Sequence, residues 1–315
     1  MTVGVVYDER YLAHDSPGHP ERAARLSAVR EALTEAGLWE RLAPIAARPA
    51  DDADLARVHS TEHVERVRRS ADQGRTVWFD ADTYACPASA EAAYLAAGGV
   101  CAAVDAVMDG VVSAAFCAVR PPGHHALPDR AMGFCLFNNM AVAVRYARGP
   151  RGVGRVLIID WDVHHGNGTQ AAFYADGDVM YLSTHQWPFY PGTGAADERG
   201  QGEGQGTTLN YPLSRGDGDE AFLAALDDGL DEASDFEPEF VFISAGFDAH
   251  RDDPLAGLNL TDQAYAQATR RIRRVADRTA GGRIVSLLEG GYELDALGRS
   301  ARAHVAALME PLPQP

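Results

Sequence analysis

Five short apolar runs punctuate the chain: AAFCAV (114–119), RVLIID (155–160), VMYLST (179–184), FVFISA (240–245) and RIVSLL (283–288). Each is bounded by Gly, Pro or Asp and is rich in β-branched or aromatic residues, which reads as buried strand. Between them lie helical signals. Pro20 opens a stretch with Leu26, Val29 and Leu33 at helical spacing up to Gly37, and Thr261 opens another that runs through RRIRRVADR to Gly281. Ala-rich segments 89–109, 138–148 and 218–233 add further helices. Continuous apolar strands alternating with helices dictate an α/β fold, a mainly parallel sheet covered by helices on both faces.

The residues just after each run matter as much as the run itself. AAFCAV leads into RPPGHHA, RVLIID into WDVHHGNGT, FVFISA into GFDAHRDDP and RIVSLL into EGGYEL. Ligands of open α/β sheets bind beyond the carboxyl ends of the strands, so these four polar clusters point into one crevice. They span residues 121 to 292, which favours one catalytic domain over residues 1–315 rather than two smaller ones. The segment 186–208, QWPFYPGTGAADERGQGEGQGTT, reads as a long loop directly after a strand, and therefore as a rim of that crevice.

The formal charge is -17, from 45 Asp plus Glu against 28 Lys plus Arg, which disfavours direct nucleic-acid binding and suits a cationic substrate. The four cysteines lack CxxC spacing and sit in apolar stretches, as reduced core residues do. The N-terminus lacks a basic, then apolar, leader pattern, and no run approaches eighteen uninterrupted apolar residues. The expectation is a soluble, unexported, cytoplasmic protein with no membrane partner; an oligomer is left open.

Asp162 and His164 are two apart, so in extended chain both side chains reach one point. Asp248, just past another strand end, is the natural third ligand of an open, catalytic metal site. An imidazole among carboxylates suits Zn²⁺ better than Mg²⁺ or Ca²⁺, with Fe²⁺ a second candidate. Any one of these residues alone could be a helix cap or a core histidine. Several unpaired ionisable groups at buried strand ends need a shared compensation. His124 and His125 then supply a general base, a carboxylate such as Asp160 orients its neighbour, and Tyr292, behind two glycines, can donate to an oxyanion. His14 and His19 are expected in an N-terminal rim loop, and His59, His63 and His304 on the surface. His185 and His250 are candidates for the surroundings of the site, and His165 has no assigned task.

The ordered set HDSPGHPERAARL (14–26), RPPGHHA, GFCLFNN, DWDVHHGNGTQ, SAGFDAHRDDP and LEGGYEL resembles the histone deacetylase family, in particular its class II-like bacterial amidohydrolases and their acetylpolyamine-hydrolysing relatives. The resemblance implies the arginase–deacetylase fold, a sheet of about eight strands with the site at their C-terminal ends, and zinc-dependent removal of acyl groups from amines. It places Asp162, His164 and Asp248 as zinc ligands, and His125 as principal base and acid. His124 becomes its electrostatic partner, Asp160 the carboxylate beside His124, Asn167 the neutral partner of His125 and Tyr292 the oxyanion donor. It further implies a substrate channel walled by Gly133, Phe134, Tyr190 and Leu255. A structural cation, K⁺, would sit at Asp160, Ser183 and the Thr184 backbone, and an acetate exit channel would be lined by Arg25. Leu255 stands where polyamine-selective relatives carry an acid, which tilts the substrate toward the acyl-lysine of a protein or peptide. The alternatives are an acetylpolyamine or other small N-acyl amine and, in another class, a non-catalytic acyl-lysine binder. A two-metal arginase-type centre fits less well, because HHGNGT replaces an acid-rich metal motif.

Overall fold

The computed structural model describes residues 2–311; Met1 and 312–315 of the expected domain lie outside the described residues. In chain order the strands are β1 (Val3–Val6), β2 (Ala43–Ile45), β3 (Val77–Trp78), β4 (Tyr84–Ala85), β5 (Ala114–Cys117), β6 (Val156–Asp160), β7 (Val179–Gln186), β8 (Thr208–Leu213), β9 (Phe240–Ala245) and β10 (Ile284–Leu288). Eight form one sheet in the order β2, β1, β5, β10, β9, β6, β7, β8, while β3 and β4 make a separate antiparallel pair. Every neighbouring pair in the large sheet is parallel. The eight-stranded parallel sheet expected from the resemblance is the one observed.

All five expected strands form, and β5, β6, β9 and β10 are buried along their whole length, as strands covered on both faces must be. Helices Ala24–Glu35, Leu294–Met309, Asp262–Thr279 and Asp219–Phe236 pack successively side by side; Ser89–Met108 packs on Asn139–Arg148 and against β1, β5 and β10. Ser89–Met108 is long and apolar enough to cross a membrane by composition, with a mean hydropathy of 1.4, but most of it is buried in the core. The helix after GFCLF begins where the Asn138 side chain accepts the Ala141 N–H at 2.8 Å, satisfying a donor that the first turn leaves free. All four cysteines are free and buried, as expected.

The β3–β4 pair went unrecognised in the sequence, as did three strands of the large sheet: β1, β2 and β8. The last two are the sheet's outer edges and carry Pro44 and Pro212. Proline cannot donate to a ladder and is tolerated only where no neighbour needs its N–H, so these edge strands do not look like strands. β8 also shortens the expected loop, which now runs from Trp187 to Thr207 with one 3₁₀ turn at Gly202–Gly204.

The sheet order has one functional consequence. β5, β10, β9 and β6 are consecutive neighbours, so the four polar clusters at their C-terminal ends are side by side. A buried ion cluster ties the N-terminal segment to them. Glu21 is fully buried and accepts from Arg120 Nη2 at 2.7 Å and Arg25 Nη1 at 3.1 Å, with His14 Nε2 at 3.2 Å. Burial pushes its acid up, but the Arg120 and His14 charges outweigh that and hold it well below the usual range. Arg25 in turn donates to the backbone oxygens of Glu289 and, at 2.6 Å, Gly291. Removing one partner of such a cluster leaves a buried charge uncompensated. Glu21→Gln, which strands the Arg25 and Arg120 charges, is therefore expected to cost about 3–5 kcal/mol in urea unfolding; a cost below about 1 kcal/mol, as for a surface pair, would contradict this role.

Candidate active site

Asp162, His164 and Asp248 converge: one ligand atom from each lies within 4.8 Å of the others, and among the described residues no other group of His, Cys, Asp or Glu does this. His164 Nδ1 is 3.1 Å from Asp162 Oδ1 and 3.2 Å from Asp248 Oδ2. Backbone amides hold the carboxylates: Asp162 accepts from His164 N at 2.9 Å and Gly290 N at 2.8 Å, and Asp248 from Val163 N at 2.9 Å. A Cβ on Gly290 would lie 2.1 Å from Asp248 Oδ2 and 2.6 Å from Asp162 Oδ2, so only glycine lets the β10 turn approach this closely. Burial and then the Asp162 charge push Asp248 up to about 7. Burial disfavours the His164 cation, yet the bonds to Asp162 and Asp248 raise it to about 10. Two crowded carboxylates and one imidazole fit a single first-row divalent ion, which relieves the repulsion once it displaces the imidazole proton.

The histidine pair lies beside them. His124 Nδ1 donates to Asp160 Oδ2 at 3.0 Å, and the two histidine rings are 4.0 Å apart. Burial opposes the His124 charge, but Asp162 and Asp160 raise it to about 10. His125 goes the other way: burial and then the charges of His124 and His164 hold it well below its ordinary value. Its Nδ1 is 2.8 Å from Asn167 Oδ1, and the Asn167 Nδ2 donates to the His125 carbonyl at 3.4 Å. That amide orientation assigns the His125 proton to Nδ1 and leaves Nε2 free to accept. The pair thus splits into one cation and one neutral base.

A cavity of about 250 Å³ is lined by His125 and His164 together with Gly133, Phe134, Phe189, Tyr190, Leu255, Tyr292 and Asp82. A larger groove, about 690 Å³, lies between the helix Thr61–Ser70 and Val77–Phe79 and holds none of these groups. Gly133 and Phe134 both adopt positive φ, 56° and 69°, carrying that loop across His125. Tyr292 stands edge-on to Phe134 at 5.7 Å, under the Arg25 guanidinium at 4.8 Å, with its backbone N–H on Asp253 Oδ2 at 2.7 Å. Burial pushes its hydroxyl well above the ordinary value, which keeps it a donor.

Of the expected site residues, Gly133, Phe134, His125, His164, Tyr190, Leu255 and Tyr292 line this cavity, while Asp162, Asp248, His124 and Asn167 adjoin them; Asp160, Ser183 and Thr184 are not part of its wall. Arg25 lies over the Tyr292 ring, and Asp160 pairs in register with Ser183 of β7, whereas Thr184, the next residue, faces the opposite side of that strand and offers only its backbone there. Four histidine placements, those of His59, His63, His304 and His14, are corrected. His59, His63 and His304 are buried rather than on the surface: His59 bonds the Leu127 carbonyl and the Asn138 N–H, His63 the Leu136 carbonyl, and His304 Thr269 and Ser286. His14 lies beneath the rim on Glu21, while His19 does reach it, 4.7 Å from the Phe134 ring. His250 bonds Asp262 Oδ1 at 3.0 Å, and His185 lies under the rim loop.

Sequence reading missed Glu289, Glu21, Arg120, Asp253, Phe189 and Asp82. Glu289 accepts from Gly123 N at 2.7 Å and His124 N at 3.2 Å, so it positions the histidine pair; burial lifts it to about 7. The signal was present, since Glu21, Arg120, Asp253 and Glu289 all lie inside the ordered motifs.

Residues 19–308 match the histone deacetylase domain. The chain is 42% identical over 300 residues to a probable deacetylase of Archaeoglobus fulgidus, covering 94% of this chain and 82% of that one. It is 43% identical over 277 residues to the histone deacetylase-like amidohydrolase of Pseudomonas aeruginosa, covering 87% and 73%. The crystal structure of the HDA15 HD domain superposes with a TM-score of 0.93 at 43% identity, covering 98% of this chain and 88% of that one. The fold is that of a deacetylase-type hydrolase, and the chain belongs to the histone deacetylase family.

Because Gly290 packs on both carboxylates, Gly290→Ala is expected to lower Zn²⁺ affinity about 10–100-fold in competition with a chelating dye, the range for disturbed ligand support. Unchanged affinity would remove Asp162 and Asp248 as the metal site.

Proposed function

We propose that this chain is a zinc-dependent amidohydrolase that removes acetyl or a similar acyl group from the side-chain amine of an acyl-lysine in a protein or peptide. The observation that carries this reading is the juxtaposition of the Asp162–His164–Asp248 triad with the adjacent His124 and His125 rings, His125 and His164 lining one aromatic-walled cavity. Asp162, His164 and Asp248 would hold the ion; when bound, it supplies a Lewis acid for the amide carbonyl and acidifies water.

The residues do the rest. Phe134, Phe189 and Tyr190 exclude water from an apolar stem. Tyr292 donates its hydroxyl proton in a hydrogen bond to the carbonyl oxygen as negative charge develops there. His125 Nε2 takes the proton of the attacking water, and Asn167 keeps its ring in the accepting tautomer. His124, charged against Asp160 and Asp162, stabilises the negative charge. The pair then returns a proton to the leaving amine, giving a free carboxylate and a lysine.

Leu255 in the cavity wall supports a neutral acyl-lysine stem over a polyamine. Asp82 in the same wall favours the second reading, a cationic acetylpolyamine. We also propose a structural K⁺ at Asp160, Ser183 and neighbouring backbone carbonyls; Asp160, fully buried and level with Ser183 and Ser244, supports it.

Tyr292→Phe should keep its zinc yet lose about 10²–10³ in kcat on an acetyl-lysine peptide, as for one oxyanion donor; wild-type turnover would overturn its role. Comparing kcat/KM for that peptide and for acetylspermidine decides the substrate, with the peptide expected to be higher.

A further inference from the structure

His165, Gln170, His185 and Glu198 take no part in the proton transfers, yet they form one chain of hydrogen bonds beneath the loop that carries Phe189 and Tyr190. The Glu198 carboxylate accepts from the backbone N–H of Gly194 at 3.1 Å, of Ala195 at 3.1 Å, and from Gln170 Nε2 at 2.5 Å. A carboxylate only accepts, so the Gln170 amide is fixed with Oε1 toward His165 Nε2, at 2.9 Å. That nitrogen therefore carries the proton of a neutral ring, and His165 Nδ1 accepts from the Thr193 hydroxyl at 2.8 Å. At His185 the same logic applies: Nε2–H donates to the Gly194 carbonyl at 2.8 Å, and Nδ1 accepts from Ser183 Oγ at 2.9 Å.

The two rings lie 4.8 Å apart, and Gly194 is seated against both, with φ +95°. A Cβ there would lie 2.5 Å from His185 Nε2 and 2.6 Å from His165 Cγ. The loop is thus bonded through the Gly194 and Ala195 backbone and the Thr193 hydroxyl. Just upstream, Phe189 stacks on His164 at 5.5 Å and Tyr190 stands edge-on to His125 at 5.1 Å.

We infer that His165, His185 and Glu198 are positioning residues: they clamp the rim loop and thereby fix the aromatic wall that grips the acyl-amine stem. The kinetic consequence rests on the amidohydrolase reading; the structural one does not. The clamp explains why two histidines follow Val163, one facing the metal-binding carboxylates and the other the loop.

The test uses the full, zinc-loaded chain with Thr193→Val and Glu198→Gln, which alter the clamp from the loop side, and Thr193→Ser as the conservative control. Hydrogen exchange at the amides of Gly194 and Ala195 should quicken about tenfold in the first two variants, the equivalent of one hydrogen bond. KM for an acetyl-lysine peptide should rise about as much with kcat nearly unchanged, and Thr193→Ser should restore both. Unchanged exchange, or a fall in kcat at constant KM, overturns the clamp. If the wild-type chain hydrolyses no acyl amine, the amidohydrolase reading fails and exchange alone decides: faster exchange upholds the clamp and unchanged exchange overturns it.

Discussion

The Asp162 carboxylate is the point on which the site depends. It accepts N–H groups from His164 and from Gly290, touches the His164 ring, and lies 3.8 Å from His124 Nε2. Gly246, just after β9, packs so tightly that a Cβ would be 2.2 Å from Asp162 Oδ2. Segments at the ends of β6, β9 and β10 therefore meet on one side chain, and the loop after β5 joins through His124. Carboxylates this buried must be compensated. Here backbone donors and His124 share that role, together with the divalent ion proposed for Asp162, His164 and Asp248.

The same demand explains the layer outside it. Glu289 bonds the backbone that carries the histidine pair, and Arg25 bonds the backbone of Glu289 and Gly291. Glu21 bonds both Arg25 and Arg120, so the segment that follows β1 is tied to the ends of β5 and β10 by charge in addition to the β1–β5 pairing. The two adjacent histidines are driven apart: against burial, Asp162 and Asp160 raise His124, whereas burial and then the charges of His124 and His164 lower His125, and Asn167 sets which His125 nitrogen carries the proton. Asn167 is thus as much a part of the acid–base arrangement as the histidines are.

How much of this could be read from the residues depended on distance along the chain. Asp162 and His164 are two apart, and their shared direction follows from strand geometry. The central strands were legible because they are apolar throughout, as parallel strands must be. Edge strands β2 and β8, interrupted by Pro44 and Pro212, were not. Neither were the roles of Glu21 and Arg120, whose side chains meet across 99 residues, nor of Arg25, which reaches Gly291 across 266. His59, His63 and His304 look like surface residues in their local windows because the groups that satisfy them, Leu127, Leu136 and Ser286 among them, come from other elements.

The central claim is that one divalent ion is held by two carboxylates and one imidazole. Zinc K-edge X-ray absorption on the zinc-loaded chain tests it directly. The account predicts an oxygen and nitrogen shell with the outer scattering of a single imidazole, lost in Asp248→Asn. Sulfur in the first shell, or a second metal as in two-metal centres roughly 3.5–4 Å apart, would contradict it.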